Sequence, residues 1–584
     1  MQISFRISAP HRVSRYLDVE MKIDGIQSEE IVLELPSWRP GRYEIGNFAR
    51  NIRKWQSYNG KGEILPFRKT ARDSWQVSLE GSDSLIVRYD YYCEQPDAGG
   101  CYVDDELIYI NPIHCFLYVR EALHEPCKLE VDVPKNYQFA GALTKREANQ
   151  FSFENFHVLY DTPFMAGSAF QMNKYVSAGK TFYIWLHGAC SPDWEKVIAH
   201  FRAFSDEQHK TMQDYPFEEF HFLVLVLPYK FYHGVEHLHS TVLALGPGYQ
   251  LMNDPLYVDF MGVASHELFH TWNVKTIRPA EMHPYDYKRE NYSRLGYVYE
   301  GVTTYYGDLF LVRSGVYTVE QYFEEINVRL QKHFDNPGRS NLSVADSSFD
   351  TWLDGYTPGV PGRKTSIYDE GCLTALMTDL LIRRETKNAA SLDDVMRSLY
   401  HDFGKKNRGY TDHDYLSICE HVAGKSLADF FLDYVYGTEN YEPLLNELLS
   451  YAGCRLNVKP SSETSERYYG FRVSKDKGPV QCLSVAAGSP AFHAGLGKGF
   501  EILAVNGMKA ENLQALLKSL KGEEVLLTVA SPMNSIKEIR MNRSKEEFYH
   551  RYSVTRQDNP GREKSEAFRA WLKQEHAVVG LEQA

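Results

Sequence analysis

The 584-residue chain carries 64 Lys and Arg against 77 Asp and Glu, a net charge of −13. That balance, with no basic cluster, argues against nucleic acid or an anionic membrane as the main partner. Hydrophobic residues at 43% and charged residues at 24% are ordinary globular usage, and a chain of this length divides into about two to four domains. Met1–Ser8 alternates apolar and polar residues and reads as a strand, not as a signal peptide. Leu17–Ile23 alternates without a break, and 31–35, 85–91 and 129–133 are further β-rich runs. No long helical period occurs before about residue 191, so residues 1–170 are expected to form a β-sandwich.

From residue 171 the pattern changes. Strands at 182–186 and 222–227 bracket a helical stretch, 194–215. Helical periods follow at 258–273, 296–314, 319–334, 371–385, 392–403 and 413–422. Residues 171–458 are therefore expected to be an α+β, mostly helical domain. Lys459–Glu466 is polar, Ser-rich and aperiodic, the pattern of a linker or exposed loop. Residues 467–542 read as a compact block of short strands. Residues 543–584 form a charged tail with one amphipathic stretch near 563–576. The longest apolar run, Phe222–Leu227, is strand length, far short of a membrane span. The nine cysteines form no CxxC pair and read as buried thiols. The expectation is a cytoplasmic protein.

The chemistry concentrates in Ser265-His-Glu-Leu-Phe-His270-Thr-Trp, an HExxH pattern. On a helix, His266 and His270 project from one face, a turn apart, and can share a zinc ion with Glu267 beside it as general base. The apolar residues from Val258 onward place the motif on a buried helix, where two histidines and a glutamate without a metal would be costly. Glu300 opens the next helix and is the candidate third ligand, with the fourth position left open. Alone it would read as a solvated helix-start charge. Tyr368 opens another helix and is a candidate oxyanion donor. Glu236, after the apolar strand ending at Leu227, could present its carboxylate to a substrate ammonium group, or be an exposed loop charge.

These segments together resemble the glycyl aminopeptidase family of gluzincin metallopeptidases, whose members join a catalytic domain to a PDZ domain. The residues that carry the resemblance are His266–Pro279, Glu300–Tyr306, Gly234–Thr241 and Ser366–Gly371, with Leu35–Tyr43 and Asn47–Ile52 in the N-terminal region. It implies a multidomain fold: an N-terminal β-sandwich, a thermolysin-like catalytic domain and a C-terminal PDZ-like β domain. It implies His266, His270 and Glu300 as ligands of one zinc ion, Glu267 as general base, Tyr368 as oxyanion partner and Glu236 as the amine anchor of an aminopeptidase. The family name implies Gly or Ala at the substrate's N-terminus. Tyr468-Tyr-Gly470-Phe471 resembles a PDZ carboxylate-binding loop for a C-terminal peptide ligand, with Phe500 where Asp is usual. Further departures are Glu370 in place of a family Lys, which either alters subsite preference or faces solvent, and His233 and Val235 in the segment before Glu236. Three rival readings stay open: an endopeptidase on the same scaffold, a PDZ-mediated binding protein with a vestigial metal site, and a zinc hydrolase of small molecules.

Overall fold

The computed structural model describes residues 1–147, 149–357, 359–474, 478–520 and 524–575. Its contacts divide the chain into two units: Met1–Tyr322 with Pro337–Ala452 and Pro560–Ala584, and Phe323–Asn336 with Gly453–Asn559.

The first unit begins β-rich. A seven-stranded sheet has Tyr16–Asp24 near its middle, antiparallel to both Gln2–Ser8 and Ser84–Tyr92. Along Tyr16–Asp24 every second residue is buried (Leu17, Val19, Met21, Ile23), so the sequence alternation sets which face meets the core. Two smaller sheets complete the region, one of three strands and one of four. Leu107, Tyr109 and Met165 of the four-stranded sheet share a core with Leu223, Val235 and Val242 of the next one. That next sheet runs in the order Phe170–Ser177, Lys180–His187, Glu219–Val226, Ser240–Gly246, Phe231–Glu236. Its three central strands are parallel and both edge strands antiparallel. Glu219–Val226 is buried at seven of its eight residues, which explains the continuous apolar run Phe222–Val226 in place of alternation.

The helix Leu256–Phe269 packs on the two strands at the Phe231–Glu236 edge and on the helix Thr303–Arg313. One expected helix, 296–314, is two structures: Tyr297–Val302 is π-helical, and Thr303–Arg313 is α-helical. Such wide turns are rare and frequent at functional sites; this one carries Glu300. The tail contributes a helix to this unit, Arg562–Leu572. Its Trp571 indole donates to Tyr305 Oη at 2.9 Å, and its carbonyl accepts from Arg313 Nε at 2.9 Å. The end of the amphipathic stretch, from residue 576, lies outside the described residues. No helix among the described residues is long and apolar enough to cross a membrane.

In the second unit, Cys454–Pro460 pairs antiparallel with His550–Arg556. Asn327 and Gln331 bond to the backbone of the latter strand. A two-stranded sheet (Phe471–Val473, Cys482–Val485) and a four-stranded sheet enclose Phe471, Val505, Leu517, Val525 and Leu527. The Ser-rich stretch before them is not an exposed loop. Cys454–Pro460 continues into it as a strand, and Ser461, Ser465 and Glu466 are buried. Glu466 accepts from Ser461 Oγ and Arg551 Nη2, both at 2.7 Å, so its polar groups pair internally rather than with water.

Candidate active site

The helix Leu256–Phe269 is buried on nearly every side, and its last turn delivers the motif. His270 Nε2 lies 3.0 Å from His266 Nε2, and Glu300 Oε2 lies 3.4 Å from His270 Nε2 and 3.8 Å from His266 Nε2. Tetrahedral zinc with bonds of roughly 2.0–2.1 Å holds its ligand atoms about 3.3 Å apart. The three residues present therefore fit a zinc ion as they stand.

Their supports are equally local in space. His270 Nδ1 faces the Asn273 carbonyl at 2.7 Å. A carbonyl only accepts, so Nδ1 carries the proton and Nε2 offers its lone pair to the site. Thr303 Oγ1 donates to the same carbonyl at 3.0 Å, and Asn273 Nδ2 donates to Val298 O at 3.0 Å, which joins the motif helix to the π-turn of Glu300. Tyr43 Oη donates to Glu300 Oε1 at 2.8 Å and leaves Oε2 toward the histidines. Burial alone would lower the His270 imidazole, but the Glu300 and Glu236 carboxylates outweigh it and push it up to about 10; Nε2 thus holds a second proton at neutral pH until a metal cation takes its place.

Glu267 and Glu236 complete a second cluster with His270, their ligand-type atoms all within 4.8 Å of one another. Both glutamates are buried, at 5% and 3% exposure. Glu236 Oε1 and Glu267 Oε2 have no hydrogen-bond partner among the described residues. Burial, with the Glu236 and Glu300 carboxylates nearby, pushes the Glu267 carboxyl well above its ordinary value, although His270 opposes this. Two buried, unpartnered carboxylate oxygens converging on one space call for cations to fill it.

Glycines make room for these carboxylates. A Cβ on Gly41 would lie 2.2 Å from Glu236 Oε2, and one on Gly234 2.2 Å from Glu267 Oε1. Gly234→Ala is therefore expected to displace Glu267 and lower kcat about 100-fold, with zinc content unchanged. A kcat within threefold of wild type would refute that account.

Tyr368 caps the helix Asp369–Glu385, half-buried, its hydroxyl 3.1 Å from that of Tyr356. Burial and then the Glu300 carboxylate push its phenol well above its ordinary value, so it stays protonated, as a donor must. The helix sits close to the Glu300 turn, because a Cβ on Gly301 would fall 2.4 Å from Gly371 Cα. Glu370 does not face solvent. It is 5% exposed and hydrogen-bonded to Tyr441. Gly470 and Phe471 belong to the second unit. Gly470 is left-handed at φ +72° with its carbonyl taken by Ala486 N, and the Phe471 side chain is fully buried.

Four supporting residues receive no role from the sequence: Tyr43 and Asn273, which lie inside stretches that carry the resemblance, and Tyr356 and Asp161, which lie outside them. Asp161 accepts from Leu238 N at 2.9 Å and Lys275 Nζ at 2.6 Å, and its Oδ1 lies 3.1 Å from His237 Nδ1. It thus ties the turn after Glu236 to the loop after the motif. Burial alone would raise its carboxyl, but Lys275 and His237 hold it well below the usual carboxylate range. A folded value below the unfolded one, about 3.9, gives stability that is full above that pH and lost as pH falls below it. Asp161→Asn strands a buried Lys275 and is expected to cost about 3–5 kcal/mol at pH 7. In paired denaturant titrations the gap to wild type should shrink below about pH 4. A gap that stays constant from pH 7 to 3 would contradict this.

Residues 4–168 match the family described as the Peptidase M61 N-terminal domain, and residues 259–374 match M61 glycyl aminopeptidase. The stretch that matches M61 glycyl aminopeptidase spans the motif helix, Glu300 and Tyr368, and the protein is a peptidase of the aminopeptidase kind. The fold is similar to that of an aminopeptidase N family protein from Idiomarina loihiensis, at 24% identity and TM-score 0.89 over 98% of this chain and 100% of that one. An M1 zinc metallopeptidase from Deinococcus radiodurans aligns at 15% identity and TM-score 0.45 over 75% of this chain and 94% of that one. No curated protein matches the chain in sequence.

Proposed function

We propose that a single zinc ion held by His266, His270 and Glu300 serves an aminopeptidase that removes small N-terminal residues, Gly or Ala, from peptides. The observation that carries the exopeptidase reading is Glu236: a buried carboxylate oxygen without a partner, converging with the general base on one space. An ammonium group both hydrogen-bonds and neutralises such a carboxylate; a mid-chain amide can donate a hydrogen bond but leaves the buried charge uncompensated. When bound, zinc polarises the scissile carbonyl and acidifies water. Glu267, its carboxyl held above the ordinary value by burial, takes the proton of the attacking water and passes it to the leaving amine. Tyr368 donates to the carbonyl oxygen as charge develops there. Tyr43 and Asn273 keep Glu300 and His270 oriented.

The test is a pair of peptides alike except for N-acetylation. The free peptide should be cleaved at least about 100-fold faster, since the acetyl group removes the charge that Glu236 meets and adds bulk beside it. Equal cleavage of both would make the enzyme an endopeptidase. We further read the strands of 467–542 as a PDZ-like domain with Gly470 and Phe471 in its carboxylate loop. Its support is the compact core around Phe471 and the left-handed Gly470 at the loop's end.

A further inference from the structure

Beside the proposed zinc site lies a cleft of about 180 Å³ lined by Arg39, Arg42, Glu44, Arg50, Gln95 and Asp97, among others. It joins that site through one short segment: Arg39 and Arg42 flank Gly41, which abuts Glu236, and Tyr43 bonds Glu300. Arg39 is 2% exposed. Its Nη1 donates to the Pro40 carbonyl at 3.2 Å, while Nη2 is buried without a partner. Among the described residues no carboxylate lies in ion-pair range of it. Two acids share its cleft. Glu44 is paired with Arg42, and Asp97 accepts from Gly99 N at 2.9 Å; burial lifts the Asp97 carboxyl above the ordinary value, although the Arg39 charge opposes this. Arg42 pairs with Glu44 and lies over the Tyr356 ring at 5.1 Å, beside Tyr368. The cleft thus keeps an excess of positive charge with one guanidinium edge unmet.

A buried, unpaired guanidinium is costly, and its planar fork matches a carboxylate. We propose that the Arg39 cleft is a subsite for a carboxylate of the peptide substrate. The carboxylate is either an acidic side chain near the cleaved bond or the free C-terminus of a very short peptide. The proposal rests on the peptidase reading. It gives the enzyme a second charged anchor, opposite in sign to Glu236, so that both ends of a dipeptide, or an acidic residue and the free amine, are read together.

Gly99 supplies a probe that keeps the arginine. A Cβ there would lie 1.8 Å from Arg39 Nη2, so Gly99→Ala must move the guanidinium. Binding is measured by calorimetry on the zinc-loaded full chain carrying Glu267→Gln, to avoid turnover. The ligands are Ala-Ala against Ala-Ala-amide, Ala-Asp-amide against Ala-Asn-amide, and Asp-Ala-amide against Asn-Ala-amide. At least one acid should bind ten- to a hundredfold tighter than its neutral counterpart, and the pair that shows it identifies the source. The advantage should fall below about threefold on adding Arg39→Gln, and on adding Gly99→Ala should the first variant not fold. Equal binding within every pair overturns the subsite and leaves the peptidase reading intact, as does a preference that survives the substitution. If no peptide binds, acid or neutral, the peptidase reading fails and this subsite with it.

Discussion

Glu267→Gln is expected to lower kcat by about 10²–10⁴-fold, the usual contribution of a positioned general base, while one equivalent of zinc stays bound. The two parts of this prediction separate roles that sit one residue apart. His266 and His270 approach Glu300 within 3.8 Å, and Glu267 points instead to the space shared with Glu236. Glutamine keeps the side chain's volume and removes only the proton acceptor. Because Glu267 is buried among like charges that push its carboxyl up, the substitution is also expected to raise the Tm of the zinc-free protein. Catalytic groups held in unfavourable surroundings commonly cost stability. Metal analysis, steady-state kinetics and calorimetry on one preparation suffice. Activity within tenfold of wild type would remove Glu267 from the mechanism, and loss of zinc would make it a ligand.

What the sequence disclosed follows the range of the interactions. Strands with strict alternation, such as Tyr16–Asp24, and long helices, such as Val319–Asp335, are written in local periodicity. HExxH is local too, since one helical turn sets its geometry. Glu300 is thirty residues beyond His270, yet it opens the neighbouring helix and could be paired with the motif. The π-turn that carries it has no sequence signature distinct from an ordinary helix start. Tyr43 reaches Glu300 across 257 residues, and Lys275 reaches Asp161 across 114. No spacing announces such contacts, because they exist only once the β-rich region and the helices have packed. Glycine roles were hidden for the same reason. Gly41 and Gly234 are explained by carboxylates their own neighbours do not carry. The Ser-rich stretch at 459–466 misled because polarity was read as exposure, whereas Ser461 pairs with Glu466 and Ser465 with Gln514 inside the second unit.

Glu236→Ala should cost roughly 10²–10³-fold in kcat/KM on free peptides, the effect of truncating one partner of a buried charge pair. The loss should leave N-acetylated peptides cleaved no worse than by the wild type. The carboxylate ends the edge strand Phe231–Glu236 and is fixed from three directions. Strand pairing sets Glu236 opposite Thr241, Gly41 closes on its oxygens, and Asp161 holds the following turn through Leu238 N. So placed, it cannot relax toward water, and its energy is realised only when an ammonium enters. On the proposed reading the same rigidity counts chain length: with the amine at Glu236 and the attacking water at Glu267, the bond within reach is the one after the first residue. Alanine removes the counter and the anchor together. The expected result is therefore a change in cleavage position as well as rate, with peptides also cut beyond the first residue. Mass spectrometry of products from a tetrapeptide series reads this directly. A variant slowed uniformly, with cleavage still confined to the first bond, would show that the wall of the cleft, not the Glu236 charge, defines the end of the substrate.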